Sequence, residues 1–159
     1  YGLINNAGIF GGTVPEPLAT TSLLGSLEME EMLRIFRVNT VAPVVMAQAF
    51  ADLLERSIEP RIINVSSDAG SISRRENGGG YSYPASKAAL NMMSRCLSAD
   101  LKERGIIVAS VHPGFLTTDM GGPNALLSLE DTIPSLVDLI EGLTMVNSGS
   151  FLNWDGKRT

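Results

Sequence analysis

The chain has 159 residues, 44% of them hydrophobic and 18% charged, with no long low-complexity tract, so it reads as one globular unit and not as a disordered or fibrous chain. A formal net charge of -5 excludes the basic face that nucleic acid requires and offers no electrostatic attraction to an anionic membrane. Cys96 is the only cysteine and His112 the only histidine, so neither an intrachain disulfide nor a Cys/His metal site is expected, and every apolar run stops short of the roughly 20 residues of a spanning helix.

The first segment, Tyr1 to Asn5, is a short apolar run that predicts a buried strand ending in the turn Asn5-Asn6-Ala7-Gly8. Residues 9–25, rich in Gly, Pro, Thr and Ser, predict a loop. Ser26 then offers an N-cap, with Glu28, Glu30 and Glu31 in the first turns, where negative charge favours a helix start. One long helix is expected from there to about Arg56. Its buried stripe should be Ile35, Val38, Ala42, Val45, Met46, Ala49, Phe50 and Leu53, which recur at intervals of three and four.

Pro60 breaks the chain before Arg61-Ile62-Ile63-Asn64-Val65-Ser66-Ser67, a second strand ending in hydroxyl residues. After a glycine-rich loop to Gly80, a helix should run from about Ser82 to Glu103. The β-branched run Ile106 to Val111 predicts a buried strand that Pro113-Gly114 ends. A last helix fits Ser128 to Leu143, and a short strand fits Gly149 to Asn153. Alternating strands and helix-length crossovers give an α/β fold with a parallel sheet. The two long crossover helices hint that part of their surface packs against something outside the chain.

The strongest chemical signal is Tyr83-Pro84-Ala85-Ser86-Lys87, which sets a tyrosine and a lysine one helical turn apart on one face. A phenol with a reference pKa of about 10 exchanges protons poorly at neutral pH, and a neighbouring ammonium favours its ionised form. Taken alone, the pair fits an incidental arrangement on an exposed helix. Its company argues otherwise: Ser66 and Ser67 stand at the carboxyl end of a strand, where open parallel sheets bind ligands, although they could merely cap a turn. Asn5 to Gly8 and Pro113 to Thr118 stand at two other strand ends. In the long helix, Pro43 has no N–H to give the carbonyl of Asn39, which either kinks the helix or leaves that carbonyl for another partner.

These segments, namely Asn5-Asn6-Ala7-Gly8, Ser67 before Asp68-Ala69-Gly70, Tyr83 to Lys87, and Pro113-Gly114 with Thr118, resemble the short-chain dehydrogenase/reductase family along nearly the whole chain. Tyr81-Ser82-Tyr83, His112-Pro113-Gly114, Thr118-Asp119-Met120-Gly121-Gly122 and Phe151-Leu152-Asn153-Trp154-Asp155-Gly156 are most similar to its Sniffer and C-factor group of carbonyl reductases. The resemblance implies a Rossmann-like doubly wound parallel sheet and an NAD(P)-dependent oxidoreductase moving hydride between nicotinamide and a carbonyl or alcohol.

By the same resemblance Tyr83 is the general acid/base, Ser67 holds the carbonyl oxygen, and Lys87 binds the nicotinamide ribose and lowers the Tyr83 pKa. Asn39 positions a water in a proton relay. Asn5, Ala7 and Gly8 match the cofactor-side turn, and Pro113, Gly114, Leu116 and Thr118 match the loop around the nicotinamide. Ser66 is then structural, His112 a packed neighbour of the turn, Cys96 a small core or interface residue, and Met29, Met32, Met46, Met92 and Met93 helical packing. The resemblance slightly favours NADP over NAD and implies a small-molecule substrate, no nucleic-acid or membrane partner, a homodimer or homotetramer, and a cytoplasmic location. An interaction or signalling module using its helical surface, with the catalytic residues as remnants, is the alternative of a different class.

The glycine-rich pyrophosphate turn that should follow a first strand is not found, and the chain opens directly on a strand without Met. The expectation is therefore a single partial domain over 1–159, the C-terminal part of the fold without its N-terminal βαβ portion. The 159-residue chain by itself is predicted to bind dinucleotide weakly and to turn over little substrate. Titration of the purified chain with NADPH checks this, and tight saturable binding with turnover would contradict it.

Overall fold

The computed structural model describes residues 2–11 and 23–159; Tyr1, Gly12 and the centre of the expected 9–25 loop lie outside the described residues. Four strands form one sheet in the order β1-β2-β3-β4, all parallel: β1 is Gly2–Asn5, β2 Arg61–Val65, β3 Ile107–His112 and β4 Phe151–Asn153. Parallel pairing needs crossovers, and each contains helix: α1 (Met29–Phe36) and α2 (Ala42–Leu54) between β1 and β2, α3 (Ser82–Asp100) between β2 and β3, and α4 (Leu129–Gly142) between β3 and β4. The expected elements are all present, with β3 and its neighbours displaced by only a residue or two, but β1 is not the buried strand expected: it is the edge strand of the described sheet and Ile4 is 57% exposed.

Alternation along the strands divides the core in two. Ile62 and Val108 face α2 and α3, packing with Ala47, Ala51, Leu54 and Leu101. Ile63, Ala109 and Val111 face the other way, against Leu136 and Leu143 of and beyond α4 and against Leu152. Helices thus cover both sheet faces, which makes the sheet doubly wound. Arg61 ties α4 to β2 by donating to the carbonyls of Ile140 and Glu141 in the last turn of that helix, where a cation is favoured.

The first crossover departs from the expectation in three ways. Ser26 is not the N-cap: its hydroxyl donates to Leu23 O, and Glu28 occupies the cap position without a side-chain cap bond. The long helix is not uniform, because Arg37–Val41 is π-helical and Ala42 N–H reaches back five residues to Arg37 O. Pro43 stands immediately after it, so the π turn absorbs a place where the α ladder lacks a donor. Third, of the stripe expected to be buried, Ile35 on α1 is, but its part on α2 faces outward. Val45 is 55% and Leu53 59% exposed, and Met46, Ala49 and Phe50 are exposed too, while Pro43, Ala47, Ala51 and Leu54 are buried. Small alanines let α2 lie close to the sheet, and its bulkier residues form a second apolar face.

On α3, Met92, Met93 and Cys96 are likewise exposed, and Met29 is exposed on α1, so these residues lie on the surface and not in helical packing within the chain. Ser128, expected as the first residue of the last helix, is its N-cap, accepting from Asp131 N. No helix among the described residues is long and apolar enough to cross a membrane. Ile62, fully buried between β1, β3 and α2, tests the packing: Ile62→Ala should cost about 2–5 kcal/mol in urea unfolding, whereas truncating the fully exposed Ile58 should change stability by about 0.5 kcal/mol or less.

Candidate active site

Because all strands run one way, β1, β2 and β3 release their next residues at a single edge of the sheet. Asn5 to Gly8, Ser66 to Gly70 and Pro113 to Thr118 are therefore gathered there, and α3 crosses beneath them. Lys87 is the centre of the arrangement. Its side chain is buried, and Nζ donates to the Val65 carbonyl at 2.8 Å and lies 5.7 Å from the Tyr83 ring centroid. Burial, which disfavours the charged form, lowers the Lys87 pKa to about 8.

The second strand ends by dividing the labour of its two serines. Ser66 N donates to Val111 O and its hydroxyl faces Lys87 O, so Ser66 joins β2 to β3 and α3. Ser67 adopts extended backbone, φ -151 and ψ 147, and its Oγ accepts from Ala69 N, opening a 3-10 turn over Asp68–Gly70. That turn lies on α3 at Gly70, where an added Cβ would meet Lys87 C at 2.7 Å and Ala88 N at 2.8 Å.

Tyr83 is pushed above its ordinary value, chiefly by burial; a hydrogen bond with the Ser67 side chain lowers it, and the Asp68 charge raises it again. The sequence predicts the opposite direction, with Lys87 lowering Tyr83. The ammonium is instead engaged by the Val65 carbonyl, and loss of solvent around the phenol prevails.

Asn39 lies in the π turn and is buried. Its Oδ1 accepts from Ile9 N and its Nδ2 donates to Ile9 O, both at 2.8 Å, and Nδ2 also reaches Ser86 Oγ at 3.0 Å. Gly8 fits beneath it: a Cβ there would lie 3.5 Å from Lys87 Nζ and 3.6 Å from Asn39 Oδ1. Asn5 Nδ2 donates to Asn64 Oδ1 at 2.7 Å, and Asn64 Nδ2 to Ser94 Oγ at 2.8 Å, so the Asn5 side chain is directed into a buried polar line between sheet and helix. Ala7 is exposed.

Beyond β3, Gly114 has φ +92 and packs so closely on Leu127 and Trp154 that a Cβ would come within 2.6 Å and 3.1 Å of them. Leu116 bridges to Leu127, and Thr118 Oγ faces Leu116 O while accepting from Gly121 N. Pro113 is half-buried.

Sequence patterns did not single out Asn64, Asp68 or Phe10. Asn64 carried a usable signal, as a polar residue inside the apolar run of a strand. His112 packs beside the turn as expected: burial, the larger effect, lowers its pKa while the Asp68 charge raises it, and Nε2 lies 3.7 Å from Asp68 Oδ1. The Phe10 ring stacks on Tyr83 with centroids 4.5 Å apart, a contact no spacing rule could reveal.

The arrangement fits the nicotinamide half of a dinucleotide: a glycine admits backbone beside a buried ammonium, and a phenol and a hydroxyl stand next to it at the ligand-binding edge. Comparison with known proteins agrees. The short chain dehydrogenase family model matches residues 1–125. The chain belongs to this family. Among its relatives, the C-signal of Myxococcus xanthus is 36% identical over 154 residues, 97% of this chain and 88% of that protein.

Two solved structures within the family are close in fold. The carbonyl reductase Sniffer of D. melanogaster gives a TM-score of 0.89 at 35% identity. The NADPH-bound carbonyl reductase from chicken fatty liver gives 0.86, also at 35% identity. Each is matched over 99% of this chain, which spans 64% of the length of either reductase. The similarity to the Sniffer and C-factor group is thus found in both sequence and structure.

The contact of the serine turn with α3 is directly testable. Gly70→Ala forces a Cβ against helix backbone, which cannot give way as a flexible side chain can, so a loss of about 1–3 kcal/mol is expected in thermal or urea unfolding.

Proposed function

We propose that the protein is an NAD(P)-dependent carbonyl reductase acting on small ketones or aldehydes. The observation that carries this reading is the buried Tyr83 phenol, close to the Ser67 turn and one helical turn from the buried Lys87, at the carboxyl edge of a parallel sheet. Nicotinamide, when bound, supplies the hydride. Ser67 holds the carbonyl oxygen by donating its hydroxyl proton, and Tyr83 gives that oxygen a proton as the carbonyl carbon is reduced. The phenol is protonated at neutral pH, as a donor must be, and its raised pKa makes that proton harder to give up, so the charge on a neighbouring Lys87 has to offset the cost of burial during transfer.

Lys87 is the anchor for the nicotinamide ribose: an ammonium has three N–H donors and the Val65 bond uses one. Gly8 and Ala7 line the approach from β1, and Pro113, Gly114, Leu116 and Thr118 from β3. The Asn39 carbonyl, which Pro43 cannot serve, positions the water that reloads the proton through Lys87. The NADPH-bound state of the chicken relative favours NADP as the coenzyme. The apolar face of α2, with Val45, Phe50 and Leu53 exposed, supports pairing between subunits in a homodimer or homotetramer.

A second reading has one observation in its favour. The chain spans 64% of the two reductases but 88% of C-signal, a protein named for signalling. In that reading the helical surface binds a partner, and binding survives simultaneous change of Tyr83 and Lys87.

The deciding experiment follows NADPH oxidation with a panel of carbonyls, using protein made from its complete coding sequence. Tyr83→Phe should lower kcat by about 10²–10⁴-fold, the range of a general acid, and unchanged turnover would refute the mechanism. A second outcome concerns pH. Lys87 loses its charge through about pH 8, so NADPH should bind more weakly as pH rises past that value, with fluorescence titration giving the Kd at each pH. A Kd that stays flat from about pH 7 to about pH 9 would contradict the ribose role.

A further inference from the structure

The segment after β1 is specified residue by residue. Gly8 lies beside Lys87 Nζ and Asn39 Oδ1, the Ile9 backbone is held at both N–H and C=O by the Asn39 amide, and Gly11, at φ +107, lies where a Cβ would be 2.8 Å from Ile35 Cδ1. Phe10 therefore has little freedom in where it leaves the backbone. Its ring lies on Tyr83 with centroids 4.5 Å apart and planes 30° from parallel, within the range of aromatic pairs that attract beyond simple burial.

The same amide reaches the other ring. Asn39 Nδ2 donates to Ser86 Oγ, and Ser86 Oγ donates at 2.7 Å to the carbonyl of Tyr83 itself. One buried side chain thus sets the spacing of both partners, from opposite ends of the contact. A surface aromatic pair formed by chance would not be held at both backbones.

We propose that Phe10 is a positioning residue for Tyr83, fixing the plane from which the hydroxyl meets the substrate oxygen and keeping water from one face of the ring. This rests on the reading of Tyr83 as proton donor. The ionisable groups facing Tyr83 are Lys87 on its own helix and Asp68 on the serine turn. Behind Asp68 stands His112, which feels the charge of Arg74. None of these is altered by changing Phe10, so the phenol reports on the stack alone.

The test uses protein from the complete coding sequence carrying Phe10→Ala, Phe10→Leu or Phe10→Tyr, each also in a Tyr83→Phe background. Ultraviolet difference titration between the two backgrounds isolates the Tyr83 phenol and needs neither cofactor nor turnover. In Phe10→Ala the phenol should titrate at lower pH than in the parent, because water returns to the ring and burial is what raises it. The alkaline limb of carbonyl reduction should move the same way, with kcat falling about 3- to 10-fold and KM little changed.

Phe10→Leu, which keeps apolar volume and so protects folding, should show a smaller shift in the same direction, and Phe10→Tyr should restore the parent behaviour. Phenol titrations of the Ala and Leu variants that superimpose on the parent would overturn the proposal. A parent that reduces no carbonyl would end the functional reading, while the titration would still decide the stack.

Discussion

A buried ammonium is the constraint around which the carboxyl edge of this sheet is arranged. Lys87 gains its place through the bond to the Val65 carbonyl, made available where β2 stops pairing and the chain turns into Ser66 and Ser67. Holding a cation away from water is costly, and the depressed pKa of about 8 expresses that cost. Much else follows from the need to fit around it. Gly8 leaves room above Nζ, Gly70 lets the serine turn press on the backbone of Lys87, and Tyr83 shares the helix face one turn earlier.

The sheet provides the reach that these contacts need. Four parallel strands bring residues separated by more than a hundred positions to one edge, from Asn5 to Thr118. Polar lines cross the core beneath them, Asn5 to Asn64 to Ser94 in one place and Ile9 to Asn39 to Ser86 in another. A buried amide with both ends engaged costs little and fixes orientation, whereas a half-satisfied one would be a liability. These lines make the site rigid before any ligand arrives.

The sequence makes the order of strands and helices legible, because continuous apolar strands and helix-length crossovers admit few parallel arrangements. Tyr83 and Lys87 are legible for a similarly local reason: four residues on a helix is one face. The buried face of α2 was not legible, since that helix is apolar on more than one side and periodicity cannot choose between Ala47 with Ala51 and Val45 with Leu53. Glutamates at 28, 30 and 31 drew the helix start towards Ser26, while the backbone enters at Met29. Asn64, Asp68 and Phe10 act through contacts across the sequence, and so does the burial that sets Tyr83 above its ordinary value.

The central claim is that this edge directs hydride to a carbonyl carbon. Its most direct test is transfer from dinucleotide deuterated at the nicotinamide C4, using protein from the complete coding sequence, with the alcohol product read by mass spectrometry and NMR. The account predicts deuterium on the former carbonyl carbon, from one face of the nicotinamide only and without loss to solvent. Product lacking deuterium, or dinucleotide that stays reduced in the presence of every carbonyl tried, would contradict it.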